Sequence, residues 1–429
     1  MNSPIDRAGK AGERPRLFDG RRWPNLVRHQ PPGHFGGHTG ISPFSPGEIS
    51  RRQAQVQARL KELDCDLLIA QGYFPPATMG CHPTLYWLSG YNGYRNTMTL
   101  ILPQKGELIE VPGVKYSSNP GWEEPYSAVE DMSPYLKGAK RIAYDGTGFI
   151  THKFWEYLME TCPGAELVEF RNELGHMQSI KSPEERAAVR DAICLQDQIF
   201  ASAPLFLQPG RTCQEVAADI TAALWKLGAD ASLMGKVLID LVPNRPLRAE
   251  DAGGHVAQPD RRIRMDDCVS LMLEGPGSGG YYAQRGRCFC FSEPHEELRQ
   301  AFALAKGLYE YTWPLLTPGR TKEELLELTN QYRRTHGIAP LVRSRAALKE
   351  DRISGLACAG VVRGLGMLTV DRPQDQFAWE DLDISIGHTV VVGGFAAYGS
   401  HSAGVAETCI VEDSGPVIPG RFPLEITVL

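Results

Sequence analysis

The sequence predicts an α/β (α+β) protein whose larger, C-terminal part is internally duplicated. The main observation is a repeated segment, because residues 207–215 recur as residues 316–324 with the same Leu, Pro, Gly, Arg, Thr and Glu. Each copy follows an amphipathic helical stretch and opens another, and helices alternate with short apolar strands earlier in the chain. The alternative is two ordinary helix turns that share Pro-Gly. A duplicated domain brings its halves face to face, so we expect a functional pit at the seam between them.

The bulk composition is ordinary for a globular enzyme. Hydrophobic residues make up 42% and charged residues 22% of the 429 residues, and the formal net charge is −6. That charge gives no reason to expect nucleic acid or an anionic membrane as a partner. No apolar run reaches the roughly 18 residues of a membrane span, and the polar start does not resemble a secretory signal. Ten cysteines without a CxxC pair indicate reduced thiols, so we expect a cytoplasmic location.

The first part of the chain divides into two segments. Residues 1–45 are rich in Pro, Gly, Arg and His, and we interpret them as an extended N-terminal arm. Residues 46–178 alternate predicted helices and strands, which indicates a small α/β domain. Its predicted elements are a helix from Ser45 to Leu63, a buried strand at 65–70, a short helix or strand at 85–88, a hairpin over 98–111, a strand at 141–144 and a helix at 153–162.

Residues 179–429 form the second predicted domain, and a capping signal marks its start. Ser182 can cap a helix, Pro183 suits the first helical turn, and Glu185 completes a capping box. The predicted elements that follow are a long helix to Phe206, a helix at 213–227, strands at 269–273 and 280–291, helices at 296–315 and 322–336, and strands at 389–392 and 408–411.

Short motifs in a specific order from residue 48 to the C-terminus resemble the creatinase, aminopeptidase P and methionine aminopeptidase superfamily. The resemblance implies a pita-bread C-terminal domain with a pseudo-twofold duplication, a creatinase-type N-terminal α/β domain and a homodimer. The motifs are the Ile180–Arg186 linker, both Pro-Gly-Arg-Thr turns, Gly254-His255, Gly280-Tyr-Tyr282 followed by Arg287, Gly364-Leu-Gly366 followed by Pro373, Gly387–Val391 and Cys409–Gly415.

The resemblance also implies where metal ligands would lie. Peptidases of the superfamily hold two metal ions with two Asp, one His and two Glu, whose oxygens bridge the ions and activate a water between them. The first Asp falls near Met272 or Leu273, the second at Gln284, the His at Arg363, one Glu at Gly393, and the last Glu at Ala406 or, with a shift of one residue, at Glu407. A cation at Arg363 would oppose metal binding. We therefore expect no catalytic metal and no other cofactor.

His255 is the candidate catalytic residue. The metal-free creatinase has a His at the matching place, where it serves as general acid and base. A histidine can take and return one proton because its unperturbed pKa lies close to neutral pH. The alternative is a histidine that only orients the substrate, as in the metallopeptidases of the superfamily.

The candidate substrate-binding residues suggest an anionic ligand. Arg287, Arg363 and Arg95 carry guanidinium groups that suit a carboxylate or phosphate. For Arg287 the alternative is a structural ion pair with Glu274 or Glu407. Further candidates are Tyr282, Gln284, Glu407 and His401; the tyrosine is otherwise a core or interface residue, and His401 is otherwise a histidine on an exposed loop.

From these residues we expect a metal-independent hydrolase or lyase. It would cleave a C–N or similar bond of a small, carboxylate-bearing substrate, with His255 as general acid and base. The alternatives are a non-catalytic binding protein on a degenerate peptidase scaffold and an atypical metallopeptidase. The expected partners are a small-molecule substrate and a second copy of the chain, without nucleic acid or membrane.

Overall fold

The computed structural model describes residues 44–72, 83–90, 98–112, 132–145, 152–230, 235–246, 248, 260–340, 362–364 and 383–429. Within these ranges the chain forms a five-stranded sheet and an eight-stranded sheet, each packed against helices. This arrangement confirms the α/β class. Except for its last two residues, the N-terminal arm lies outside the described part of the chain.

The smaller sheet belongs to the N-terminal part of the chain. Its strand order is β3-β2-β1-β4-β5, with β1 antiparallel to β2 and parallel to β4. The apolar stripe of the first helix, including Val56 and Leu60, packs against this sheet. The elements are α1 (Pro46–Glu62), β1 (Leu67–Gly72), α2 (Pro83–Ser89), β2 (Met98–Pro103), β3 (Ile109–Pro112), α3 (Ser133–Leu136), β4 (Arg141–Tyr144), α4 (His152–Thr161), β5 (Glu166–Glu169) and α5 (Arg171–Ser179).

The larger sheet carries the duplication. Its main path has the order β6-β7-β8-β11-β10-β9, so the first half contributes β6 to β8 and the second half β9 to β11. The elements are α6 (Pro183–Ala201), α7 (Ala203–Phe206), α8 (Cys213–Leu227), β6 (Lys236–Pro243), β7 (Asp267–Pro276), β8 (Tyr282–Cys290), α9 (Glu296–Thr312), α10 (Lys322–Thr335), β9 (Val362–Gly364), β10 (Thr389–Tyr398), β11 (His401–Glu412), β12 (Gly415–Val417) and β13 (Ile426–Val428).

The two Pro-Gly-Arg-Thr turns have the same geometry. Gly210 and Gly319 adopt φ values of +91° and +86°, which glycine tolerates without steric cost. Their amides donate to the carbonyls of Ile263 and Ile384, each over 2.7 Å. Each turn then opens a helix through a complete capping box. The repeated sequence therefore corresponds to a repeated local structure, as a duplicated domain requires.

Two predicted helices end earlier than the sequence pattern suggests. The first long helix ends at Ala201, and Pro204 then lies within the separate short helix α7. The second ends at Thr312 and continues as a 3-10 turn over Trp313–Leu315, which contains Pro314. Proline lacks an amide hydrogen and clashes with the preceding turn, so it cannot continue an α-helix. Strand β6 was not predicted, although its Val, Ile and Leu residues favour a strand.

Glu185 joins the two parts of the molecule. It lies in the first turn of α6 and accepts hydrogen bonds from the Trp87 indole (3.0 Å) and the Tyr281 hydroxyl. The guanidinium of Arg52 in α1 lies 3.4 Å from the same carboxylate.

The described helices include none that is both long and apolar enough to cross a membrane.

Candidate functional site

Met272, Gln284, Val391 and Ala406 define one face of the larger sheet, which we call the inner face. Met272, Val391 and Ala406 contact one another across strands from both halves. The Gln284 side-chain amide lies 2.9 Å from the Met272 sulfur, a weak acceptor. The inner face therefore has an apolar centre at the seam where the sequence predicts the pit.

An acidic cluster lies beside this apolar centre. Glu274 is directly opposite Gln284 in the β7–β8 ladder, so the two side chains share the inner face. Burial and the nearby carboxylates of Glu274 and Asp230 raise the pKa of Tyr282. Asp230, Glu274 and Tyr282 are all buried. We call these three residues the acidic rim: Glu274 and Tyr282 lie on β7 and β8 at one end of the inner face, and the Asp230 amide donates to the Gly277 carbonyl beside the end of β7.

The other face of the sheet carries a buried ion network. The Arg285 guanidinium contacts the Glu407 carboxylate at 2.7 Å and the Asp197 carboxylate of α6 at 2.6 Å. Arg287 pairs with the same Glu407 carboxylate and donates to the Phe422 carbonyl at 2.8 Å. Burial raises the pKa of Glu407, but the two guanidinium groups outweigh it and hold that pKa below its usual value. The network joins β8, β11 and α6.

This network changes the interpretation of two candidate substrate-binding residues. Arg287 and Glu407 bind each other between the sheet and α6, and each is only 2% exposed. The structural ion pair that the sequence left open for Arg287 is therefore the arrangement observed. The sequence did not separate the two readings because Arg287 and Glu407 are 120 residues apart.

His401 lies neither in the pit nor on an exposed loop. It is 1% exposed and opens β11 against the first turn of α9. One ring nitrogen lies 3.0 Å from the Glu297 carboxylate, and the other faces the Pro243 and Arg245 carbonyls. On β11 the side chain shares the side of Ala403 and Val405, which pack against the core beside α9. Its partner is therefore Glu297 of α9.

Three other candidates have limited or no structural description. His255 and Arg95 lie outside the described residues. The backbone of Arg363 pairs with Val391 in the β9–β10 ladder, which places the residue beside the apolar centre. Their proposed roles remain predictions.

Glu274 and Asp230 were missed as site candidates. A signal for Glu274 was present, because it is the charged residue within the apolar strand from Val269 to Pro276. Asp230 follows the left-handed Gly228 cap of α8, where an acidic residue is unremarkable from sequence alone.

The described residues do not fit a two-metal centre of the type that the resemblance implies. Gly393 and Ala406 are directly opposite each other at the positions of the two glutamates, and neither has a side-chain ligand atom. Leu273 packs in the helix-side core, and Gln284 carries a neutral amide in place of an aspartate. Divalent metal pairs need several bridging carboxylates, which these positions do not supply.

Comparisons with known proteins assign the chain to a family. Residues 187–390 match the profile of metallopeptidase family M24, and residues 52–180 match the creatinase/prolidase N-terminal domain. The chain belongs to the creatinase/M24 pita-bread superfamily, a group of peptidase-type hydrolases.

Individual relatives are distant. The chain is 24% identical over 257 residues to a probable dipeptidase PepE of Mycobacterium tuberculosis, a match that covers 60% of this chain and 62% of the relative. The crystal structure of dipeptidase PepE from Mycobacterium ulcerans superposes with a TM-score of 0.65 at 19% identity, over 90% of this chain and 99% of that one. A Xaa-Pro dipeptidase from Bacillus anthracis gives 0.67 at 17% identity, over 89% and 100%. These structural similarities show the fold.

The expectation of a metal-independent hydrolase or lyase is contradicted by these comparisons. The matched family is a metallopeptidase family, and the named relatives are dipeptidases. The changed ligand positions resemble those of the metal-free creatinase, but the scaffold as a whole matches a metallopeptidase family.

Proposed function

We propose that the chain is a hydrolase of small dipeptide-like substrates, which bind on the inner face of the larger sheet. The observation that carries this proposal is the acidic rim beside the apolar centre. A dipeptide has a cationic amino end and a side chain that is often apolar. The carboxylates of Glu274 and Asp230 suit the ammonium group, and Met272, Val391 and Ala406 suit the side chain.

The peptidase class of the relatives supports an amide bond as the bond that is cleaved. Dipeptidases cleave one amide bond, which is a C–N bond, and the relatives named above carry that name. His255 is proposed to orient the substrate, as a histidine does in the metallopeptidases of the superfamily, and Arg363 and Arg95 are the proposed partners of the substrate carboxylate. A cytoplasmic location and a homodimer are also proposed; a mass in solution of twice 47.3 kDa would support the homodimer.

Glu274→Gln tests the position of the amino end. The purified chain is assayed against a panel of dipeptides, each with a free or an acetylated amino end, with and without added divalent metal. We expect the substitution to raise KM by at least about tenfold for free dipeptides, because an amide cannot neutralise an ammonium group. The acetylated substrates should show no such change.

Glu293→Gln is the matched control, since this carboxylate is 84% exposed in its side chain and lies outside the inner face. It should leave KM unchanged. Equal KM values for wild type and Glu274→Gln would contradict the placement of the substrate. Binding of dipeptides without turnover under every metal condition would contradict hydrolysis and leave a binding protein.

A further inference from the structure

His295, Glu297 and His401 bring three potential metal ligands together far from the inner face. His295 immediately precedes α9, Glu297 lies in its first turn, and His401 opens β11. One ligand atom from each side chain lies within 4.8 Å of the other two. His401 is five residues before Ala406 on β11, a separation of roughly 17 Å along the strand.

Both ring nitrogens of His401 face acceptors. Nε2 lies 3.2 Å and 3.0 Å from the Pro243 and Arg245 carbonyls, and Nδ1 lies 3.0 Å from Oε2 of Glu297. Carbonyls only accept, so Nε2 carries a hydrogen. In the neutral ring Nδ1 then has a lone pair that faces a carboxylate. The Ser400 hydroxyl lies 3.4 Å from Nδ1 but donates to the same Glu297 oxygen at 2.7 Å, so the repulsion is relieved best by a cation, which is either a proton on Nδ1 or a metal ion.

His295 favours the metal ion. Its Nδ1 is buried and has no hydrogen-bond partner within the described part of the chain. Its ring stacks on that of His401, with centroids 4.9 Å apart and an interplanar angle of 26°. Its backbone amide donates to Asn244 at 2.6 Å, which fixes the residue beside His401. A proton between His401 and Glu297 would relieve their repulsion, but it would leave the buried Nδ1 of His295 without a hydrogen-bond partner.

The surroundings position the carboxylate of Glu297. Its Oε2 accepts from the backbone and hydroxyl of Ser400 at 2.8 Å and 2.7 Å. Gly399, at φ +57°, allows this approach, because a Cβ there would lie 2.4 Å from the Glu297 carboxyl carbon. These contacts hold the Glu297 carboxylate beside the ring of His401, where it can act as a metal ligand.

We propose that His295, Glu297 and His401 bind a divalent transition-metal ion, for which Zn²⁺ is the best chemical match. Two imidazoles and one carboxylate are a zinc ligand set that leaves a fourth position for water. A ligating histidine usually donates its second ring N–H to a carbonyl or carboxylate, as Nε2 of His401 does here. The ion would join the start of α9 to the β10–β11 hairpin.

Zinc titration of the purified, chelator-treated full chain tests this site. We expect one equivalent of Zn²⁺ that is lost in His295→Ala and in Glu297→Gln, with affinity reduced on the order of a hundredfold. Loss of a second-sphere group already costs about 10–100-fold, so loss of a ligand should cost at least as much. Co²⁺ in place of Zn²⁺ should give a visible absorption band of four-coordinate type, and both variants should lack it.

His152→Ala is the control, because His152 is exposed and pairs with Glu156 at 3.3 Å on α4, as an isolated His–Glu pair. It should retain the equivalent of Zn²⁺. Glu297→Gln keeps the shape of the side chain. A cooperative thermal unfolding transition of this variant would show that it is folded, so that lost Zn²⁺ binding is not caused by a lost fold. If wild type binds no Zn²⁺, or if both variants bind it as wild type does, the site is an imidazolium–carboxylate pair and the proposal is wrong.

Discussion

Glu407 shows how burial changes the role of a charged residue. In sequence it falls next to a metal-ligand position of the superfamily, yet in the structure it neutralises Arg285 and Arg287 between the sheet and α6. Asp197 would still balance one of the two guanidinium groups, but without Glu407 the other would remain a buried, uncompensated charge with a large desolvation cost. The residue therefore stabilises the fold behind the inner face, with its carboxylate on the helix side of the sheet.

Glu407→Gln should destabilise the protein by on the order of 3 kcal/mol, because it leaves buried arginine charge uncompensated. Urea unfolding measures this change. Glu293→Gln removes an exposed partner of Arg299 at 3.5 Å and should cost less than about 1 kcal/mol. A Glu407→Gln protein of wild-type stability with a raised KM would instead restore Glu407 as a substrate-binding residue.

The Glu407 carboxylate should make the free energy of unfolding depend on pH in the acidic range. Its folded-state pKa lies below the ordinary value of 4.5, so its contribution is fully present above about pH 4.5 and is lost as pH falls through the folded-state value. Unfolding curves of wild type should therefore show decreasing stability below that pH. Glu407→Gln should show a smaller decrease over the same range, and an identical decrease would contradict the assignment.

At the scale of elements, the two repeated turns carry the same capping box, so the same substitution in each should destabilise the protein equally. Thr212→Ala and Thr321→Ala each remove the side-chain acceptor of a capping box and should each cost about 1 kcal/mol. Because the caps lie in separate halves, the double variant should cost roughly the sum. Thr335→Ala, at the exposed C-terminal end of α10, is the control and should cost less. If the loss of stability of the double variant differs strongly from the sum of the two single losses, the two caps are not independent.

The elements that the sequence predicts best are those with local signals. Ser182, Thr212 and Thr321 sit three residues before a glutamate, and each forms the capping box that this spacing indicates. The ends of α6 and α9 were placed too late because helical periodicity continues past Ser202 and Trp313, although a proline lies just beyond each.

The candidate site was less predictable because it depends on contacts between distant residues. Arg287 and Glu407 are 120 residues apart, and His401 meets Glu297 across 104 residues. Alternation along a strand separates the two faces, but it does not say which face is covered by helices. Gln284 lies opposite Glu274 in the β7–β8 ladder, and its role in substrate binding stays a prediction.

At the scale of the whole molecule, Glu185 couples the N-terminal domain to the larger sheet. Glu185→Gln should weaken the contacts to Arg52, Trp87 and Tyr281 together, because a neutral amide cannot balance the buried guanidinium. Calorimetry should show the domains unfolding at more widely separated temperatures. Glu327→Gln, on an exposed pair of α10, should leave the profile unchanged. A single unshifted transition in Glu185→Gln would show that other contacts couple the domains.

The whole scaffold, with its two matched halves, is that of a peptidase family, while the described seam lacks the family's usual carboxylate positions and carries an acidic rim instead. The most direct test is mass-spectrometric detection of both amino-acid products from dipeptides incubated with wild type and with Glu274→Gln. The account predicts products from wild type and a marked loss of products at low substrate concentration for Glu274→Gln. Equal product formation by the two proteins, or none by wild type with any dipeptide or added metal, would contradict it.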